Sequence, residues 1–158
     1  MRLVEWILEG LIAVIVGVFC LLTIAQVIAR YGFNSPFTWS EETGRYLFIW
    51  AMMLATALGV RRKVHIGFDL FLNWLKGTKK RWMEFVNYVV IMIFAVLVFV
   101  FGIVLFLSVK NTVTGGLGLP LGYVYSAVPV GFFVMILFVA ESLWNEIRKK
   151  KNPTDLPG

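Results

Sequence analysis

From Phe85 to Val109 the chain runs 25 residues without a charge. A helix rises about 1.5 Å per residue, so about 20 apolar residues cross the roughly 30 Å hydrocarbon core of a bilayer. Backbone in lipid must satisfy its own hydrogen bonds, and a helix does so within one segment. The run therefore predicts a membrane-spanning helix over about 83–109. Three other segments have the length and character to do the same, at about 4–29, 39–60 and 122–144. Composition agrees: 59% of the 158 residues are hydrophobic and 15% charged, where soluble domains average about half and about a quarter. The expected fold class is an all-α membrane protein with four transmembrane helices in a single domain, residues 1–150. A polar, proline-bearing tail at 151–158 is expected to be flexible.

The first run holds 20 uncharged residues from Gly10 to Ala29. Signal-peptide cores are shorter, about 7–15 residues, so this reads as a retained span. The second span is the weakest, with 15 uncharged residues from Tyr46 to Val60. It reaches spanning length only if its helix starts back within FTWSEETGRY, residues 37–46. Thr38 and Glu41 have the spacing of a capping box. Glu41 and Glu42 fall in the first turn, where the helix dipole favours negative charge. Glu41 and Arg45 are four apart and share a face. Glu41 and Glu42 themselves diverge by about 100°, so they do not flank one reacting atom.

Basic residues set the expected orientation. Arg2, Arg61, Arg62, Lys63, Lys76, Lys79, Lys80, Arg81, Arg148, Lys149, Lys150 and Lys151 fall on one side, and Arg30, Arg45 and Lys110 on the other. Loops rich in Lys and Arg stay in the cytoplasm. Both termini are then cytoplasmic, and FTWSEETGRY faces outward. Between the second and third spans, residues of about 65–77 place Ile66, Leu70, Phe71, Trp74 and Leu75 on one helical face. Too short to span, this segment is expected to lie in the cytoplasmic interface as an amphipathic helix. Arg61, Arg62, Lys63, His65, Phe71, Trp74, Lys79, Lys80 and Arg81 are the expected anchors to anionic lipids, which account for the net charge of +6 better than nucleic acid does. The outer loop NTVTGGLGLPLGY is short and glycine-rich, and Pro129 falls in the first two turns of the last span, where it is expected to kink the helix.

Residues for chemistry are scarce. A lone cysteine, Cys20, forms no intrachain disulfide, and no zinc-ligand spacing is present. A lone histidine, His65, excludes a bis-histidine haem within the chain. No serine or cysteine is paired with a base. Ion pathways are marked by ionisable residues deep in the bilayer. Here Glu5, Glu9, Glu84, Glu141 and Glu146 sit near span ends, and the middles are Ile, Val, Leu, Phe and Ala. The chain is expected to be neither an enzyme nor a carrier of cofactors. It reads as a protein that scaffolds or completes a larger membrane complex.

Residues 30–70 carry a resemblance. Arg30-Tyr31, Trp39-Ser40-Glu41-Glu42, the basic step Arg61-Arg62, then His65-Ile66 and Asp69 resemble the small membrane subunit of tripartite ATP-independent periplasmic (TRAP) transporters. LPLGYVYSAVPVG, residues 119–131, is similar to the start of that family's last helix. The resemblance implies an inner-membrane accessory subunit that supports a large transport subunit. It also implies a periplasmic substrate-binding protein as partner, with uptake of organic acids such as sialic acid or C4-dicarboxylates by sodium symport. Arg30, Trp39, Glu41, Glu42 and Arg45 would then form an outer face for docking the binding protein or the large subunit. Two other readings remain open from the residues: an anchor subunit of an enzyme complex, and a small self-sufficient exporter in which Glu9 would be essential.

Overall fold

The computed structural model describes residues 2–33, 38–62 and 78–151. The chain forms α1 (Arg2–Gly32), α2 (Thr38–Arg61), α3 (Thr78–Val109), the one-turn α4 (Gly122–Tyr125) and α5 (Ala127–Lys151). Among the described residues, four stretches are long and apolar enough to cross a membrane: Leu3–Gly32, Trp39–Arg61, Trp82–Val109 and Gly122–Trp144. They match the four expected spans to within a few residues. α2 does begin inside FTWSEETGRY, which brings the weakest span to 24 residues. α5 continues through Lys151, past the expected end of its span. The proposed interfacial helix at 65–77, with Lys63, His65, Phe71 and Trp74, lies outside the described residues, as do residues 152–158. Of Lys79, Lys80 and Arg81 only the backbone is described, in the first turn of α3.

The helices stand side by side in the order α1, α2, α5, α3. α2 packs on α1 and α5, and α5 packs on α2 and α3; α1 and α3 do not touch. The result is an open row rather than a closed bundle, and burial follows it. Between Glu9 and Ile28, α1 buries no residue fully. α3 buries one seam, Tyr88, Ala95 and Gly102, at the seven-residue spacing of a straight contact between near-parallel helices. α5, in the interior, buries Ala127, Gly131, Phe132, Met135, Phe138 and Val139, enough for two faces.

Lipid tails are as apolar as leucine, so helix contacts here depend on close fit more than on burial. Two glycines permit that fit. A Cβ on Gly131 would lie 2.9 Å from both Cβ and the carbonyl oxygen of Met53 on α2. A Cβ on Gly102 of α3 would lie 2.9 Å from Val128 Cγ1 on α5. Around them, Ala57 and Val60 of α2, Tyr88 and Ala95 of α3, and Phe132, Met135 and Val139 of α5 form one core. A smaller cluster, Leu8, Leu54 and Phe138, joins α1 to the row.

The last span changes helical segment at Ser126, three residues before Pro129, and Ser126 itself keeps helical dihedral angles with its N–H donating to the Gly122 carbonyl at 2.9 Å. α4 ends at Tyr125 and α5 starts at Ala127, with Pro129 in its first turn. There the Tyr123 carbonyl accepts from Ser126 Oγ at 2.8 Å and from Trp50 Nε1 of α2 at 3.2 Å. Large aromatics lie exposed at both ends of the row. Trp6, Trp82 and Trp144 mark one end, and Tyr31, Phe33, Trp39 and Tyr123 the other. Such girdles sit at headgroup level in membrane proteins.

Candidate functional site

Polar chemistry concentrates at the two ends of the row. At the α2 N-terminal end, successive residues enter different surroundings because each helical step turns about 100°. Glu41 points outward and meets Arg45 at 3.5 Å, with both side chains about two-thirds exposed. Glu42 turns toward the loop between α3 and α4. Its Oε1 accepts the Tyr46 hydroxyl at 2.6 Å, one helical turn on. Its Oε2 accepts the backbone N–H of Leu117 at 2.7 Å and of Gly116 at 3.1 Å.

That loop is built to be held. Thr114 N–H donates to the Leu119 carbonyl at 2.9 Å, and Leu121 N–H to the Thr112 carbonyl at 2.8 Å, so Val113 and Pro120 face each other in a single antiparallel bridge. Thr114 is buried, and its Oγ1 also accepts from Leu119 N–H at 3.1 Å. The chain reverses through Gly118 at φ +68°, a conformation glycine adopts without a steric penalty.

Of the expected outer-face residues, the structure thus leaves Glu41 and Arg45 at the surface as a solvated pair and turns Glu42 inward. Trp39 is half-exposed beside them, and Arg30 is exposed in the last turn of α1. Tyr46, Thr114, Gly116 and Leu117 are the members of this site that the sequence reading did not single out. Tyr46 had a signal, its four-residue spacing from Glu42. The loop amides had none, since they lie 74 and 75 residues away.

At the other end, Arg61 joins three helices. Its Nε donates to Glu5 Oε1 of α1 at 2.7 Å, and its Nη1 lies 2.8 Å from Glu141 Oε2 of α5. Its guanidinium also sits over the Phe138 ring, 5.7 Å from the centroid. The contact to Glu141 is one of charge rather than of aligned donor, because Oε2 is buried and takes no hydrogen bond. All three ionic side chains are about three-quarters or more buried. Next to them Arg62 pairs with Glu9 of α1 at the surface. Arg61 and Arg62 were expected at lipid headgroups; here both engage carboxylates of this chain. Apolar residues separate the two ends. Among the described residues, no three of His, Cys, Asp and Glu converge as a metal site.

Similarity to known proteins agrees with this anatomy. A family model described as tripartite ATP-independent periplasmic transporters, DctQ component, matches residues 19–149. A C4-dicarboxylate TRAP transporter small permease protein of Vibrio cholerae is 42% identical over 65 residues, 41% of this chain and 28% of that protein. The sialic acid TRAP transporter permease protein SiaT of Haemophilus influenzae is 32% identical over 138 residues, 85% of this chain and 21% of that protein. Another Haemophilus influenzae protein, provisionally named a TRAP transporter small permease protein, is 29% identical over 133 residues, 84% of this chain and 83% of that protein. The chain spans a minor part of the first two relatives and most of the third.

Proposed function

The chain belongs to the DctQ components of the tripartite ATP-independent periplasmic transporters, and from that membership we propose that it is the scaffold subunit of a sodium-driven organic-acid importer. It is a multi-pass protein of the bacterial inner membrane, and its family is a transporter component, not an enzyme. In the proposed assembly a large membrane subunit carries the substrate and sodium sites. This chain supports it as a rigid body, and a periplasmic binding protein delivers the substrate. The Arg61 end faces the cytoplasm with both termini, by the excess of Lys and Arg there. Residues 65–77 lie along anionic lipid on that side. The Glu42 end faces the periplasm, where Arg30, Trp39, Glu41 and Arg45 meet the binding protein or the large subunit. The substrate is a carboxylate, as the C4-dicarboxylate and sialic acid named for two relatives are.

The observation that carries this reading is the open row. α1 and α3 flank it with apolar faces largely uncovered, while ionisable residues keep to the ends of the spans. An open row whose ionisable residues keep to the ends of its spans offers little of a pathway of its own, but it does offer an edge on which a larger membrane protein can rest.

The test is extraction of the tagged chain from its native membrane in mild detergent, with partners identified by mass. The expected partner is a large polytopic protein in stoichiometric amount. The pair in liposomes should take up labelled substrate only with the binding protein outside and an inward sodium gradient. Recovery of the chain alone, or uptake by the chain alone, would sink the scaffold reading.

A further inference from the structure

We infer that Glu42 is a positioning residue: as a hydrogen-bond acceptor, not as a charge, it fixes the outer turn Gly115–Gly118 in the shape that a docking protein meets. This deepens the docking reading above and rests on it. Three of the four residues in the turn are glycine, so the free turn has many conformations and ordering it is entropically costly. The base of the turn is tied by Thr114, Leu119 and Gly118, whose N–H donates to the Thr114 carbonyl at 3.2 Å. The tip is tied from outside, where Gly116 and Leu117 N–H both donate to Glu42 Oε2. Tyr46 holds the other oxygen, so the carboxylate is aimed by its own helix at the place where the turn must go. Around the turn Val113, Leu119 and Tyr123 stand exposed. A mobile turn would present them in no fixed arrangement, and a docking protein would then have to bear the ordering cost itself. Glu41, one residue earlier, touches none of this; its exposed pair with Arg45 leaves it as a charge for a partner to read.

The acceptor role has a specific signature. Glutamine keeps one oxygen for the two amides, and its NH2 can donate to a reoriented Tyr46 hydroxyl, so Glu42→Gln keeps the acceptor for the turn while it loses the charge and reverses the Tyr46 bond. Glu42→Leu keeps the bulk and loses the acceptor. The chain would be purified with its permease and placed in liposomes. Amide exchange would be followed over residues 114–121. In parallel, uptake of labelled succinate and of labelled sialic acid would be titrated with the binding protein. Glu42→Leu is expected to speed exchange at Gly116 and Leu117 about tenfold or more. It should raise the half-saturating binding-protein concentration several-fold at an unchanged maximal rate, and Glu42→Gln should restore both. Glu41→Gln should leave the exchange as it was. Unchanged exchange in Glu42→Leu overturns the proposal, and so does a Glu42→Gln protein that behaves like Glu42→Leu. A freed turn with unchanged half-saturation overturns its part in docking. Failure of the transporter reading has a different mark, no permease recovered and neither probe taken up, and the acceptor role is then decided on exchange alone.

Discussion

Glu41 and Glu42 adjoin in sequence yet meet different surroundings, one solvated beside Arg45 and one bound to a loop 75 residues on. Their substitutions should separate accordingly. An exposed i, i+4 pair is worth a few tenths of a kcal/mol at most. Glu41→Lys should therefore leave the melting temperature in detergent within about a degree or two, while lowering binding-protein-dependent uptake. A Glu41→Lys protein with full uptake removes Glu41 from the docking face. Arg61 is the opposite case. Deleting its charge leaves Glu5 and Glu141 facing each other, mostly buried, with no cation between them. Removing one partner of a fully buried pair costs about 3–5 kcal/mol, and partial solvent access reduces that here, so Arg61→Met should destabilise by about 2–3 kcal/mol. Adding Glu5→Gln and Glu141→Gln should recover most of the loss. Equal melting of the single and triple variants would show that the three groups are not coupled.

Among elements, the decisive contacts are the closest ones. Gly131 sets how near α5 comes to α2, and Gly102 how near α3 comes to α5. Gly131→Val forces Met53 and its backbone aside, an overpacking cost of about 1–3 kcal/mol. The measurement is unfolding in detergent, with Gly17→Val as the matched control, since a Cβ on Gly17 meets nothing within 4 Å. A Gly131→Val protein that melts like wild type would mean that α2 and α5 do not meet as closely as described. α1 depends on less. Its ties to the row include the Leu8–Leu54–Phe138 cluster, the Phe19–Phe48 ring contact at 5.8 Å and the two ion pairs at the Arg61 end. The same Arg61 substitution should therefore loosen α1 first. Faster exchange or proteolysis near its N-terminal end would report it.

For the whole molecule, an open row of four helices places half of its spans at an edge. Leu21 of α1 and Phe101 of α3 point away from the row, while Ala57 in the middle is fully buried. A photo-crosslinking residue at Leu21 or Phe101 is expected to capture a large polytopic partner from one edge or the other, and at Ala57 to capture none. Lipid adducts alone at both edges would count against the supporting role. Removing either neighbour should also be felt differently. Loss of α1 leaves the core of α2, α3 and α5 in place, whereas a break in α5 separates α2 from α3.

Four spans and the early start of α2 were legible in the sequence because each depends on residues close together in the chain. A run such as Phe85–Val109 cannot remain in water wherever the helix happens to stand. The candidate site was legible only in part. The pairing of Glu41 with Arg45 is local and could be read from their spacing. Which way Glu42 turned, that Arg61 would find Glu5 and Glu141, and that the helices would form an open row were not. Each depends on which faces of distant segments meet, and apolar faces in lipid are nearly interchangeable by composition. The close fit at Gly131 and Gly102 and the few buried polar contacts chose among them, and both exist only once the helices stand together.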